Sequence, residues 1–258
     1  MLQCRLIVDS PLDGAWNMAV DEALLDGAAD GGVATLRFYR WREPTLSLGY
    51  FQAYAEREAH AASRDAAAVR RLSGGGALVH DRELTYSLCL PASHLTGRQP
   101  AELYGIVHRA LIAVLAPWGI RATLNCEACP GGLTASEAEE PFLCFARRTG
   151  ADIVLHPSRS GQQPVKIVGS AQRRRRGAVL QHGGLLLAAS PGAPELRGVQ
   201  EVAGQALEPG PVATAWSAGI AQALGLELRA TTLGAKLQNA ARRLVEEKYR
   251  SAAWNRRR

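Results

Sequence analysis

Residues 84–90 read Leu-Thr-Tyr-Ser-Leu-Cys-Leu. Leu84, Tyr86, Leu88 and Leu90 recur at every second position, the period of a strand with one apolar face. Thr45–Phe51 repeats the pattern, with Leu46, Leu48 and Tyr50 opposite Thr45, Ser47 and Gly49, and predicts a half-buried strand. Ile153–Leu155, Val165–Val168 and Ala178–Leu187 are apolar runs of strand length. Between these stretches the period lengthens to that of a helix. Trp16, Val20, Ala23 and Leu24 share one helical face, and so do Leu103, Val107, Ala110, Leu111, Val114 and Leu115, in a helix that should stop near Pro117 and Gly119. Ala-rich Ala59–Val69, Trp216–Leu224 and Leu233–Tyr249 also read as helices. Strands and helices do not alternate regularly. The order excludes a doubly wound parallel sheet and predicts an α+β (mixed α/β) layout.

At 258 residues, 47% hydrophobic and 21% charged, the chain can bury a large core and is neither a disordered tail nor a fibre. The longest apolar stretch, Ala110–Pro117, is far short of the roughly 18–20 residues that span a bilayer. Asp9 and Asp13 interrupt the place where a signal peptide would be apolar. Cys4, Cys89, Cys126, Cys129 and Cys144 are odd in number and too sparse for a disulfide framework, so a reduced, cytoplasmic protein is expected. The net charge of +6 suits an acidic partner. Gly131–Pro141 and Ser158–Pro164 read as loops, the second as a hairpin tip.

Four segments could carry chemistry. In Arg70–Asp81 (RRLSGGGALVHD), three consecutive glycines let the backbone approach a ligand and point N–H groups at an anion or carbonyl, and two arginines add fixed charge. No Gly-Lys-Ser/Thr follows, so this is not a P-loop; a plain glycine turn is the bland alternative. In Lys166–Gly183, a lysine enters a strand, a small-residue turn at Gly169-Ser170-Ala171 follows, and Gln181-His182-Gly183 interrupts an apolar strand. Polar residues there serve a ligand or find partners. Arg173–Arg176 reads as a solvated hairpin face, and without interleaved aromatic residues it does not suggest nucleic-acid binding. Cys144, between apolar neighbours, is either an inert buried thiol or a nucleophile. Cys126-Glu-Ala-Cys129 has no second ligand pair, and no metal site is expected.

Taken together, these segments resemble the lipoate-pathway acyl-transferring and ligating family, which shares its catalytic domain with biotin protein ligases. RRLSGGGALVHD is similar to that family's RRxSGGG…HD loop, and KIVGSAQRRRRGAVLQHGGLLL to its K-x-x-GSAQ…LQHG hairpin. Arg37–Gln52, His80–Leu88, Cys144-Phe145 and Glu246–Asn255 resemble its cysteine-dependent octanoyltransferase branch, of the LipM type. ATP-dependent lipoate ligases usually carry Gly-Asn after the His-Asp pair, where Arg82-Glu83-Leu84 stands here, and many carry a further C-terminal domain. The resemblance implies a biotin/lipoate protein ligase-like catalytic domain over residues 1–258. A central mixed or antiparallel sheet would be flanked by helices, with C-terminal helices at 211–250 packed on it.

It also implies a reaction: transfer of an octanoyl group from acyl carrier protein, through a cysteine thioester, to a lysine of a lipoyl domain such as glycine cleavage H protein or a 2-oxoacid dehydrogenase E2. Cys144 falls where the nucleophile stands, and Lys166 on the motif lysine taken to activate it. Arg71, Ser73, Gly74, Gly75, Gly76, His80, Gly169, Ser170, Ala171, Gln181, His182 and Gly183 fall on the substrate-binding motifs. Transfer from a thioester needs no cofactor. The ligase alternative, acting through lipoyl-AMP, needs ATP and Mg; transfer between two lipoyl domains is a third possibility. A monomer that touches neither nucleic acid nor membrane is expected. In two places the chain departs from the family pattern. The spacing of 166 − 144 = 22 residues is long, with the excess in His156–Pro164, and Ala146-Arg147-Arg148 replaces an acidic-small-proline run. A free cysteine is only a few per cent thiolate at neutral pH. Lowering its pKa by ~2 units takes about 2.7 kcal/mol, which one ammonium at roughly 4 Å can supply.

Overall fold

The structure, a computed structural model, describes residues 2–95, 97, 99–128, 141–157 and 161–257. Its strands are β1 (Leu2–Val8), β2 (Ala34–Tyr39), β3 (Thr45–Leu48), β4 (Ala67–Arg70), β5 (Leu78–His80), β6 (Glu83–Leu90), β7 (Ala122–Leu124), β8 (Ile153–Leu155), β9 (Val165–Arg175), β10 (Ala178–Leu186) and β11 (Leu226–Ala230). Its helices are α1 (Gly14–Ala29), α2 (Glu102–Leu115), α3 (Asn125–Ala128), α4 (Val199–Ala203), α5 (Pro209–Leu224), α6 (Ala235–Leu244) and α7 (Ala252–Asn255). Eight strands form one sheet in the order β11-β1-β2-β6-β10-β9-β8-β7, parallel where β1 meets β11 and β2 and antiparallel elsewhere. A second sheet has the order β4-β3-β5. The expected mixed α/β architecture is what the chain adopts.

The two-residue period decides which residues meet. On β2, Ala34, Leu36 and Phe38 join Leu84, Tyr86, Leu88 and Leu90 of β6 in the core beneath α2 and α5. Trp216 of α5 packs against Phe38 and Tyr86 and donates its indole N–H to the Val107 carbonyl at 2.9 Å. α1 and α6 cover the other face, over Ile7, Tyr39, Cys89, Ala178 and Leu180. Asp13 caps α1 by accepting the Trp16 N–H at 2.9 Å. α2 ends as expected, in a turn at Ala116–Trp118 closed by Gly119 at φ 75°.

Four expectations need correction. β3 ends at Leu48 and β6 spans Glu83–Leu90; both are buried on both faces rather than one, because the polar side of each strand faces the protein interior. Ala59–Val69 is not a helix. Ala61–Ser63 makes a single tight turn and Ala67–Arg70 becomes β4, held parallel to β3; tertiary pairing overrides the alanine propensity. No turn follows Lys166: Gly169, Ser170 and Ala171 continue β9, and the hairpin turns at Arg176-Gly177. Nor is Arg173–Arg176 simply solvated. Arg175 pairs with Glu22 and Asp26, Arg176 with Asp26 and Asp30, and Arg173 lies over the Tyr50 ring. The Arg175 and Arg176 pairs clamp the hairpin to α1 and its C-terminal cap. Of the two expected loops, residues 131–140 and 158–160 lie outside the described residues, as does Cys129; residues 161–164 belong to the connection from β8 to β9.

Candidate active site

A cavity of about 330 Å³ opens between the polar face of the large sheet and the glycine loop before β5. Arg71, Gly75, Gly76, His80, Cys144, Lys166, Gly169, Ser170, Ala171, His182 and Gly183 all line it. Met18, Leu78, Val79, Phe145 and Leu186 make much of the remaining wall apolar. Three of the expected residues stand behind that lining. Ser73 shares a hydrogen bond of 2.6 Å with His182 Nε2, and Gly74 lies against Phe51. Gln181 points to the opposite face of β10, one residue out of phase with His182, and donates to Tyr86 Oη at 2.7 Å.

The glycine loop and the cysteine are tied by backbone. The Ala77 N–H donates to the Phe142 carbonyl at 2.9 Å, and the Cys144 N–H to the Ala77 carbonyl at 2.7 Å. A Cβ on Gly76 would sit 2.9 Å from the Phe142 oxygen and 3.0 Å from the Cys144 nitrogen, so only glycine admits this approach. Of the described cysteines, Cys144 alone lines the cavity. Burial pushes the Cys4 thiol up to about 11 and holds Cys89 well above the ordinary thiol value, which keeps both protonated.

Lys166 reaches the same place by an irregularity. Ile153 of β8 pairs with Val168 and Val154 with Lys166, which leaves Ile167 as an extra residue on β9. Ile167 and Val168 both enter the apolar core, and Lys166 faces the cavity. Its ammonium donates to the Cys144 carbonyl at 3.1 Å and the Arg147 carbonyl at 3.0 Å, and pairs with Asp152 at 2.9 Å. The three donors thus meet three acceptors. The long connection between Cys144 and Lys166 does not keep them apart, and the unusual Ala146-Arg147 segment supplies one of the acceptors. The lysine is 5% exposed, so it is not a solvated strand residue.

Buried polar networks, absent from the sequence-based expectations, orient both histidines. His182 Nδ1 meets Asp21 Oδ2 at 3.0 Å, and Asp21 also accepts from Tyr39 at 2.9 Å and Arg37 at 3.0 Å. Burial opposes ionisation of Asp21, but the His182 hydrogen bond and the Arg37 charge outweigh it and hold the carboxyl below its usual range. His80 Nδ1 meets Glu83 Oε1 at 2.6 Å, its Nε2 meets Ser47 Oγ at 2.7 Å, and Trp41 stacks on its ring at 3.8 Å. Burial pushes His80 down, against the pull of Glu83, so its neutral form is favoured. Ser170 Oγ is shared between His108 Nε2 at 2.7 Å and Tyr86 Oη at 2.8 Å. Polar residues at strand positions that should face solvent were the available signal, but they name no partner. Among the described residues no cluster of three or more His, Cys, Asp or Glu side chains is arranged to hold a metal ion. No described helix is long and apolar enough to cross a membrane.

Architecture and cavity chemistry together define an enzyme with the biotin/lipoate protein ligase fold. Residues 13–208 match the lipoyl protein ligase A/B catalytic domain, and the chain belongs to that family. It is 34% identical to octanoyltransferase LipM of Kyrpidia tusciae, with 97% of each chain covered. It is 32% identical to octanoyltransferase LipM of Brevibacillus brevis over the whole of both. The same fold is seen in the structure of an archaeal lipoylation system, a bi-partite lipoate protein ligase and its E2 lipoyl domain from Thermoplasma acidophilum. There the TM-score is 0.71 at 21% identity, covering 99% of this chain and 97% of the other. The resemblance to LipM-type octanoyltransferases therefore holds across the chain, and the protein is an enzyme of the octanoyltransferase and lipoate-protein ligase kind.

Proposed function

We propose that the protein moves an octanoyl group from octanoyl-acyl carrier protein to a lysine of a lipoyl domain by way of a thioester on Cys144. The observation that carries this is the position of Cys144, the one described thiol in the cavity, tied to the glycine loop and to Lys166 through its own backbone. The Cys144 thiolate attacks the donor thioester carbonyl, and the carrier leaves as a thiol after taking up a proton. The lysine amine of the acceptor then attacks the acyl-cysteine, loses a proton, and releases the Cys144 thiolate. The product amide lies downhill from either thioester, so ATP has no part in the balance. Met18, Leu78, Val79, Phe145 and Leu186 offer an apolar wall to the acyl tail, whose burial is worth roughly 5 kcal/mol at ~0.8 kcal/mol per methylene. Glycine cleavage H protein and 2-oxoacid dehydrogenase E2 lipoyl domains are the acceptors to try first.

The test is intact mass after mixing with octanoyl-carrier and no ATP. A hydroxylamine-labile increment of one octanoyl group, mapped to Cys144 and absent in Cys144→Ala, is expected. Full activity in Cys144→Ala with strict dependence on ATP and free lipoate would replace transfer with ligation.

A further inference from the structure

We infer that Arg71 supplies the positive charge that faces the Cys144 thiolate, the task that the family resemblance gives to Lys166. This rests on Cys144 being the nucleophile. Arg71 is 3% exposed, yet among the described residues every hydrogen bond it makes goes to a neutral oxygen: the Ser47 carbonyl at 2.9 Å, Ser47 Oγ at 3.2 Å, the Gly74 carbonyl at 2.9 Å and the Gly76 carbonyl at 2.6 Å. Among the same residues its Nε has no hydrogen-bond partner and no carboxylate pairs with it. Arg37 and Lys166, by contrast, meet carboxylates, Asp9 and Asp21 for the first and Asp152 for the second; Arg57 is buried on neutral oxygens as Arg71 is, but it does not line the cavity. A buried guanidinium without a countercharge is costly, and a site that retains one is suited to an anion.

That anion is close at hand. A Cβ placed on Gly75 would lie 3.3 Å from Arg71 Nη2 and 3.8 Å from Cys144 Sγ, so guanidinium and thiol both lie within 4 Å of one point. Gly75, at φ 89°, keeps that point free of a side chain. Burial pushes the Arg71 guanidinium down to about 10; negative charge on Cys144 acts against this, while Arg70 and Arg147 add to it. The ammonium of Lys166, by contrast, has all three donors occupied and its charge met by Asp152. Lys166 therefore holds the Cys144 segment in place, and Arg71 polarises the sulfur. The Ser47–His80–Glu83 chain aims the guanidinium, with Ser47 bridging Arg71 to His80.

Iodoacetamide alkylation of Cys144, followed from pH 6 to 10 by mass of the Cys144 peptide, tests the assignment. In Arg71→Met the rate at pH 7 should fall about tenfold or more and rejoin that of the unmodified enzyme at high pH; Arg71→Lys should keep most of it. Arg71→Gln, which can still donate to the loop carbonyls, serves if Arg71→Met does not fold. An unchanged rate in a folded neutral variant overturns the inference, and so does an equal loss at every pH, which marks a change of access and not of charge. Octanoyl-enzyme formation by the unmodified protein is measured alongside. Its absence refutes Cys144 as nucleophile, whatever alkylation shows; its presence with an unshifted Arg71→Met profile refutes only the role of Arg71.

Discussion

Replacing Lys166 with methionine should unfold the protein more readily for a reason separate from chemistry. Lys166 and Asp152 are 5% and 3% exposed, and their ion pair is 2.9 Å long. Removing the ammonium strands a buried carboxylate, which typically costs about 3–5 kcal/mol. For a chain of this size that corresponds to a melting temperature lower by roughly 6–20 °C. In the double variant Lys166→Met/Asp152→Asn the stranded charge is gone, and an amide oxygen can still accept the Thr149 N–H that Asp152 takes at 2.6 Å. What remains lost is the pair of donations to the Cys144 and Arg147 carbonyls, worth about 1–3 kcal/mol each if they go unsatisfied. The double variant should thus be more stable than the single one. Urea denaturation of the four members of the cycle, with slopes compared for two-state behaviour, provides the measurement. A double variant no more stable than Lys166→Met would refute the view that the pair is a buried charge couple. Inactivity of Lys166→Met alone says little about proton transfer, because the same change releases the backbone of Cys144.

Other outcomes follow from the electrostatics. Burial holds His80 and His108 below their usual value, so the unfolded chain binds more protons than the folded one as pH falls through about 6.5, and stability should drop from pH 7.5 to 5.5. The urea midpoint should fall over that interval, and fall less in His108→Gln; a midpoint that rises on acidification contradicts the assignment. Octanoyl transfer should slow with added salt through KM and not through kcat, because a basic surface speeds encounter with acidic carriers. A kcat that falls while KM stays constant would place the charge effect inside the site.

Local sequence patterns determined more of the fold than of the site. The apolar phase of β6 and the faces of α2 and α5 follow from periods of two and 3.6 residues, because burying one face of each element is a local requirement. The two glycine-rich motifs and Cys144 were legible as candidate places where backbone or a thiol meets a ligand, with a plain turn and an inert thiol as the alternatives, and the cavity gathers most of their residues. Ala67–Arg70 shows the limit: alanine propensity favours a helix, and only pairing with β3 makes a strand. The polar faces of β2 and β6 show it again. Arg37, Glu83, Thr85 and Ser87 sit where alternation implies solvent, and they are buried because α1 and the second sheet close over them. Only the tertiary structure decided that Asp152 would neutralise Lys166, that Asp21 would orient His182, and that Arg71, with no carboxylate partner among the described residues, would stand near Cys144. The physical reason is that periodicity records which residues leave water, whereas the partner of a buried charge is chosen in three dimensions, from residues far apart along the chain.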